Sequence, residues 1–152
     1  MNKVDENNCN VQSTRELISD LYTNVTMAQS SIKTLVKYVK QGDIKHRLHK
    51  QIEQYDHYIE QIGALGANLR FDPTPAPKFA ITMANMGIKS KMIANKKQTH
   101  VAKIMMQGTL NGIIDLYRLA RKHKEAHPQA HTLLNEVLHY EESCLEACKS
   151  ML

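Results

Sequence analysis

Apolar residues recur in steps of three and four through five segments of this 152-residue chain, a period that dictates helices. The first seam is the most regular: Ile18, Leu21, Val25, Ala28, Ile32, Leu35 and Val39. Side chains so spaced share one face of a helix, whereas a half-buried strand alternates every second residue. Ser13-Thr14-Arg15-Glu16 reads as a capping box announcing that helix, and Gly42 stands where a C-terminal glycine would close it. Residues 1–12 are polar, with Asn2, Asn7, Asn8 and Asn10, and predict a disordered tail ahead of one domain over 13–152.

Asp43 is placed to cap a second helix with the stripe Ile44, Leu48, Ile52, Tyr55, Ile59, Ile62 and Leu69. Pro73, Pro75 and Pro77 forbid helix beyond about Arg70. The tight Gly42-Asp43 join makes the first two helices an antiparallel hairpin. A shorter third helix is predicted over 78–97, with Phe79, Ile81, Met83, Met86, Ile88, Met92 and Ile93. A fourth, over 99–124, has a wide apolar arc: Val101, Met105, Gly108, Gly112, Leu116 and Leu119 to one side, Met106, Leu110, Ile113 and Tyr117 to the other. An arc that wide touches more than one neighbour. Pro128 opens the fifth helix at a first-turn position, and that helix runs to the C-terminus.

The second helix would be about 40 Å long at 1.5 Å per residue. Residues 71–97 are enough to climb back along it, so the second and fourth helices are expected to run parallel, joined by one long crossover. An up-and-down five-helix bundle is the alternative.

Composition agrees with helices. There is no Trp, with two Phe and six Tyr, so the core must come from aliphatic residues and eight Met. A chain this long buries ~70% of its unfolded surface and folds without disulfide or metal. Cys144 and Cys148 are four apart on one helix face, a spacing that suits buried thiols in a reducing compartment better than a disulfide; Cys9 lies in the tail. No apolar run approaches the ~18 residues of a membrane span, and MNKVDENNCN lacks a signal-peptide core. A cytoplasmic protein is expected.

Glu136-x-x-His139 matches the spacing that carries metal ligands in di-iron bundles. At roughly 100° per residue, however, the stripe of this helix is Leu134, Val137, Leu138, Glu141, Cys144, Leu145, Cys148 and Leu152. Glu136 and His139 fall opposite it, facing water. Glu141 falls inside it, where a carboxylate must be paired, hydrogen-bonded or protonated. Gln29, Tyr55, Asn111 and Glu141 lie at similar heights, so a polar layer is expected, with Tyr55 or Gln29 donating to Glu141; a ligand contact there is the sharper reading.

Asp115 and Arg118 are spaced to pair along the fourth helix. Gly108 and Gly112 are read as allowing a close helix approach, and Met83, Met86, Met92, Met105 and Met106 as core filling. His46 and His49 are surrounded by Lys45, Arg47 and Lys50, which oppose a metal ion. The net charge of +5 includes Lys33, Lys37 and Lys40 on the first helix and Arg118, Arg121, Lys122 and Lys124 at the end of the fourth. Neither group is interleaved with aromatics that stack on bases, so a solvated surface is preferred to a nucleic-acid site. No Gly-rich phosphate loop, nucleophile motif or Cys-x-x-Cys occurs.

HVAKIMMQGTLNGIIDL (100–116) and HYEESCLEACKSML (139–152) resemble the ferritin-like bundles, in particular small bacterial ferritin-like proteins of unassigned function. The resemblance implies an all-α bundle of four long helices with a short crossover helix. Members of that group carry inward Glu and Glu-x-x-His ligands; here Glu136 and His139 point outward, and the second helix has no matching motif. No catalytic, cofactor or metal residue is therefore assigned. The expected function is a non-catalytic bundle acting through binding or assembly, with a homo-oligomer or protein partner along its helix faces. A metal-binding ferritin-like protein with a degenerate site and a binder of small apolar ligands are the alternatives.

Overall fold

The computed structural model describes the backbone from Lys3 to Leu152 and the side chains from Val11 onward. Five α-helices and one 3₁₀ turn account for its regular structure, and no strand occurs among the described residues. They are α1 (Lys3–Leu35), α2 (Asp43–Asn68), α3 (Lys78–Ala94), α4 (Gln98–Lys122) and α5 (Pro128–Lys149). The protein is all-α.

Two helix boundaries differ from the local signals. α1 already includes Ser13 and Glu16, so these residues do not cap it: Ser13 Oγ lies 3.5 Å from His123 Nδ1, and Glu16 accepts from Gln12 at 2.8 Å. The tail expected over 1–12 falls on the stretch whose side chains, including that of Cys9, lie mostly outside the described residues. At the other end α1 stops at Leu35, passes into a 3₁₀ turn over Val36–Tyr38, and leaves Val39 half-buried beyond it. Gly42 does not close α1. It immediately precedes α2, at φ 138°, a left-handed value that suits glycine, and Asp43 is the first helical residue. A carboxylate there meets the positive end of the α2 dipole.

Side-chain pairs fix the directions. α2 runs against α1: Gln29 donates to Asp56, Lys33 Nζ lies 3.9 Å from the same carboxylate, and Arg15 sits over the Phe71 ring past the end of α2. The chain then turns sharply. Gly66 O accepts from Phe71 N at 2.9 Å, and a Cβ on Gly66 would stand 2.6 Å from Phe71 O, which explains a glycine there. The proline segment starts back beside α1, where Thr74 N donates to Ser19 Oγ. α3 follows α1 upward, with Asn85 donating to Ser30. α4 descends, because Asn24 donates to Gly112 O and Lys122 reaches Asp20. α5 rises again: Thr14 accepts from His127 N at its foot, Tyr58 donates to Glu136 O, and Tyr55 donates to Glu141. α2 and α4 therefore run in the same direction, with residues 71–97 crossing between them.

The core lies among α1, α2, α4 and α5. Leu17, Ile18, Leu21, Val25 and Leu35 meet Leu48 and Ile62, Val101 and Leu116, and Leu134 and Val137. α3 stands apart, packed on α1, with Met92 as its one fully buried residue. Its position outside the four-helix core shapes the site described next.

Candidate functional site

The helical phase of α5 carries Glu141 inward, to 2% exposure, and leaves Glu136 and His139 exposed. Tyr55 projects from the buried face of α2 directly opposite. Its hydroxyl donates to Glu141 Oε1 at 2.7 Å. Tyr140 stands edge-on to both Tyr55 and Tyr58, with ring centroids 5.8 and 5.7 Å away, and fixes that tyrosine in place. The other expected donor, Gln29, is committed to Asp56, and Asn111 accepts from Gln107 on its own helix.

No cationic group of the described residues pairs with Glu141. Burial raises its carboxyl from the usual 4.5 to about 7, with the Tyr55 hydrogen bond opposing the rise. The surroundings share that dry character. Burial lifts the Tyr55 and Tyr140 hydroxyls well above their usual range and the Cys144 thiol to about 11. Cys148 is raised by the same cause, against the pull of Arg47. Cys144 and Cys148 are free, buried and protonated, as their shared inner face implied.

The Tyr55–Glu141 pair is also the floor of a cavity. Because α3 rests on α1 and not deeply against α4, a space of about 770 Å³ remains between them. Met27, Ala28, Ile32, Leu35, Ile88 and Met105 provide apolar wall. Asn24, Gln107, Thr109 and Asn111 supply amide and hydroxyl groups, with Asp20, Asp115, Arg118 and Lys91 also bordering the space. Asn24 Nδ2 reaches Gly112 O at 3.3 Å while its Oδ1, also buried, has no partner. Such dimensions and linings fit a small organic molecule. Glycines contribute room: a Cβ on Gly108 would meet nothing within 4 Å, and one on Gly112 only Asn24 Nδ2 at 3.9 Å. The two glycines therefore widen the cavity and do not admit a closely packed helix as their spacing suggested.

Comparison with family models, curated proteins and solved structures returns no match. The site's chemistry must therefore be read from its own residues.

Asp115 pairs with Arg118 at 3.3 Å, as their spacing predicted. The methionines divide: Met92 and Met105 are buried and Met106 is half-buried, but Met83 and Met86 are more than half exposed and do not fill the core. Among the described residues no three His, Cys, Asp or Glu side chains converge as a metal-ligand group. The histidine pattern hid one buried member. His123, 2% exposed, closes the α4–α5 turn onto α1, 3.3 Å from Asp20 and 3.9 Å from Glu16. The cavity itself had little sequence signature, since Asn24 and Met27 sit at ordinary positions beside the α1 seam. Gly108 and Gly112, small residues on the face of α4 that meets the cavity, were the available clue.

Proposed function

We propose that this protein is a non-catalytic binding protein for a small, largely apolar molecule, held between α1, α3 and α4 with its polar end at Glu141. The observation that carries this reading is the cavity with a buried, hydrogen-bonded carboxyl at its floor. Its volume lies within the ~300–1,000 Å³ usual for ligand pockets, and its walls combine apolar side chains with a few polar groups. Tyr55 holds one carboxyl oxygen, so Glu141 is oriented before a ligand arrives; an oriented partner lowers the ordering cost of binding. A ferritin-like layout and a cytoplasmic setting belong to the same reading. The common direction of α2 and α4, joined by the 71–97 crossover, supports the former. No helix of the described residues is long and apolar enough to cross a membrane.

Fluorescence titration with N-phenyl-1-naphthylamine, a neutral apolar probe, tests the reading. Saturable binding of one probe per chain is expected. Gly108→Leu places a side chain into open space at the cavity wall and should weaken binding by about tenfold or more, equivalent to roughly 1.4 kcal/mol, without destabilising the helix. Absence of saturable binding, or equal affinity in the Gly108→Leu protein, would overturn the assignment.

A further inference from the structure

Between Asp72 and Asp115 the chain contains no acidic residue. Its charged residues there are Lys78, Lys89, Lys91, Lys96, Lys97 and Lys103. All six are exposed, and none forms an ion pair among the described residues. Taking them from the chain's 20 lysines and arginines leaves 14 against 15 acids, so this segment supplies the whole positive balance. Elsewhere lysines do find carboxylates: Lys33 meets Asp56, Lys122 meets Asp20 and Lys149 meets Glu146.

The same segment exposes apolar side chains where a surface helix ordinarily shows polar ones. Phe79, Met83, Met86 and Ile93 are 76, 52, 57 and 63% exposed. At roughly 100° per residue these four, with Ser90, form one outward stripe. Ile81, Ile88 and Met92 lie on the opposite face, which meets α1. Lys78 and Lys89 flank the outward stripe on one side and Lys91 on the other. α3 is thus apolar on two faces, one against α1 and one outward, and the lysines bordering the outward face add charge that an anionic bilayer surface attracts. Lysine stems can extend along the apolar stripe while their ammonium groups reach lipid phosphates.

We propose that the outer face of α3 docks on a membrane surface rich in anionic phospholipid, with Phe79, Met83, Met86 and Ile93 entering the acyl boundary and the flanking lysines contacting phosphates. Nucleic acid would satisfy the lysines but leave the apolar stripe in water, with Phe79 as the one aromatic of α3 available to stack. Met83 and Lys91 also border the cavity, so the docking face and the proposed ligand site share one edge of α3.

The absence of Trp from the chain makes a direct test available. Phe79→Trp gives the chain a single tryptophan reporter at a position that already faces solvent. Mixed with phosphatidylcholine vesicles containing phosphatidylglycerol, its emission should shift to the blue and be quenched by brominated acyl chains. Vesicles of phosphatidylcholine alone should leave it unchanged. Lys89→Gln with Lys91→Gln should lower partitioning about 25-fold, from roughly fivefold per lysine at an anionic surface. Met86→Ser should weaken it at constant charge, and circular dichroism should show all variants folded. Equal partitioning into both vesicle types would overturn the proposal. So would sedimentation with anionic vesicles without acyl-chain quenching, which would mean charge contact alone. Binding to single-stranded DNA in preference to anionic vesicles would overturn it in favour of nucleic acid.

Discussion

α3, which rests on α1, and α5, which packs mainly on α4, handle polarity in opposite ways. α5 buries a carboxylate, Glu141, and sends its charged motif, Glu136 and His139, to the surface. α3 has no carboxylate, buries Met92 alone completely and turns a second apolar stripe outward. The difference follows from neighbours. α5 packs against α4, α2 and α1, so its inner face is enclosed and anything on it must be satisfied there. α3 packs chiefly on α1, so one face of contact suffices and the rest is free to serve another partner. Periodicity identifies a helix; the number of its neighbours decides how much of its apolar surface is core.

The largest expected effect tests that contrast. Leu134, fully buried on α5, should lose about 2–5 kcal/mol of stability on change to alanine, through lost transfer energy and the cavity left behind. Ile93→Ala on α3 removes a side chain that is 63% exposed and should stay within ~0.5 kcal/mol. Urea unfolding of both variants decides the matter. Comparable losses would mean that the outward stripe of α3 is covered in solution.

Glu141 sharpens the comparison through pH. Its folded carboxyl titrates at about 7 against 4.5 for an ordinary one, so the folded chain holds the proton more tightly than the unfolded chain. The resulting stabilisation is fully present below pH 4.5, declines as pH rises through the window, and is gone above about 7. A separation of that size corresponds to something on the order of 3 kcal/mol. In Glu141→Gln this decline should vanish, since the amide stays neutral and its oxygen can still accept from Tyr55. Glu141→Ala at pH 5 should cost about 1–3 kcal/mol, because the Tyr55 hydroxyl loses its buried partner. Unfolding measured from pH 5 to 8 separates the three proteins. A wild-type profile no steeper than that of Glu141→Gln would show that the carboxyl is hydrated.

Much of this was legible in the residues. The phase of Leu134, Val137, Leu138 and Cys144 placed Glu141 inside and Glu136 and His139 outside, because the apolar residues of α5 form a single narrow stripe opposite a polar face. Helical heights alone offered Tyr55 or Gln29 as the donor, and the structure chooses Tyr55. The ends of α1 were misread because Ser13-Thr14-Arg15-Glu16 and Gly42 are local signals. Ser13, Thr14 and Glu16 instead face the α4–α5 turn around His123 and His127, a tertiary contact that no local pattern encodes. The cavity was hidden for a related reason. Met83 and Met86 have the spacing of core residues, and only the placement of α3 on α1 shows that they are not core. The acid-free stretch from 73 to 114 was visible in the sequence, but it is a composition signal spread over two helices and two loops, unlike the compact basic groups at and just beyond the ends of α1 and α4.

The smallest expected effect concerns the motif that most suggests chemistry. His139 is 79% exposed at its side chain, and its Nδ1 lies 3.5 Å from Glu142 Oε2, one turn along the same helix. Glu142 in turn accepts from Tyr117 at 2.8 Å, so that carboxylate already has a partner. Deleting His139 removes one exposed contact within a single helix and leaves no buried group unsatisfied. His139→Ala should therefore change stability by no more than ~0.5 kcal/mol. A metal centre gives a different result. Redox iron sites in helical bundles need an inward shell of carboxylates and histidines from several helices, and an outward Glu-x-x-His offers two donors from one. Elemental analysis of wild type and His139→Ala should find the same metal content. Near-stoichiometric iron or manganese in the wild type, lost in the variant together with several kcal/mol of stability, would reverse the contrast by making the outer face of α5 the site around which the bundle is built.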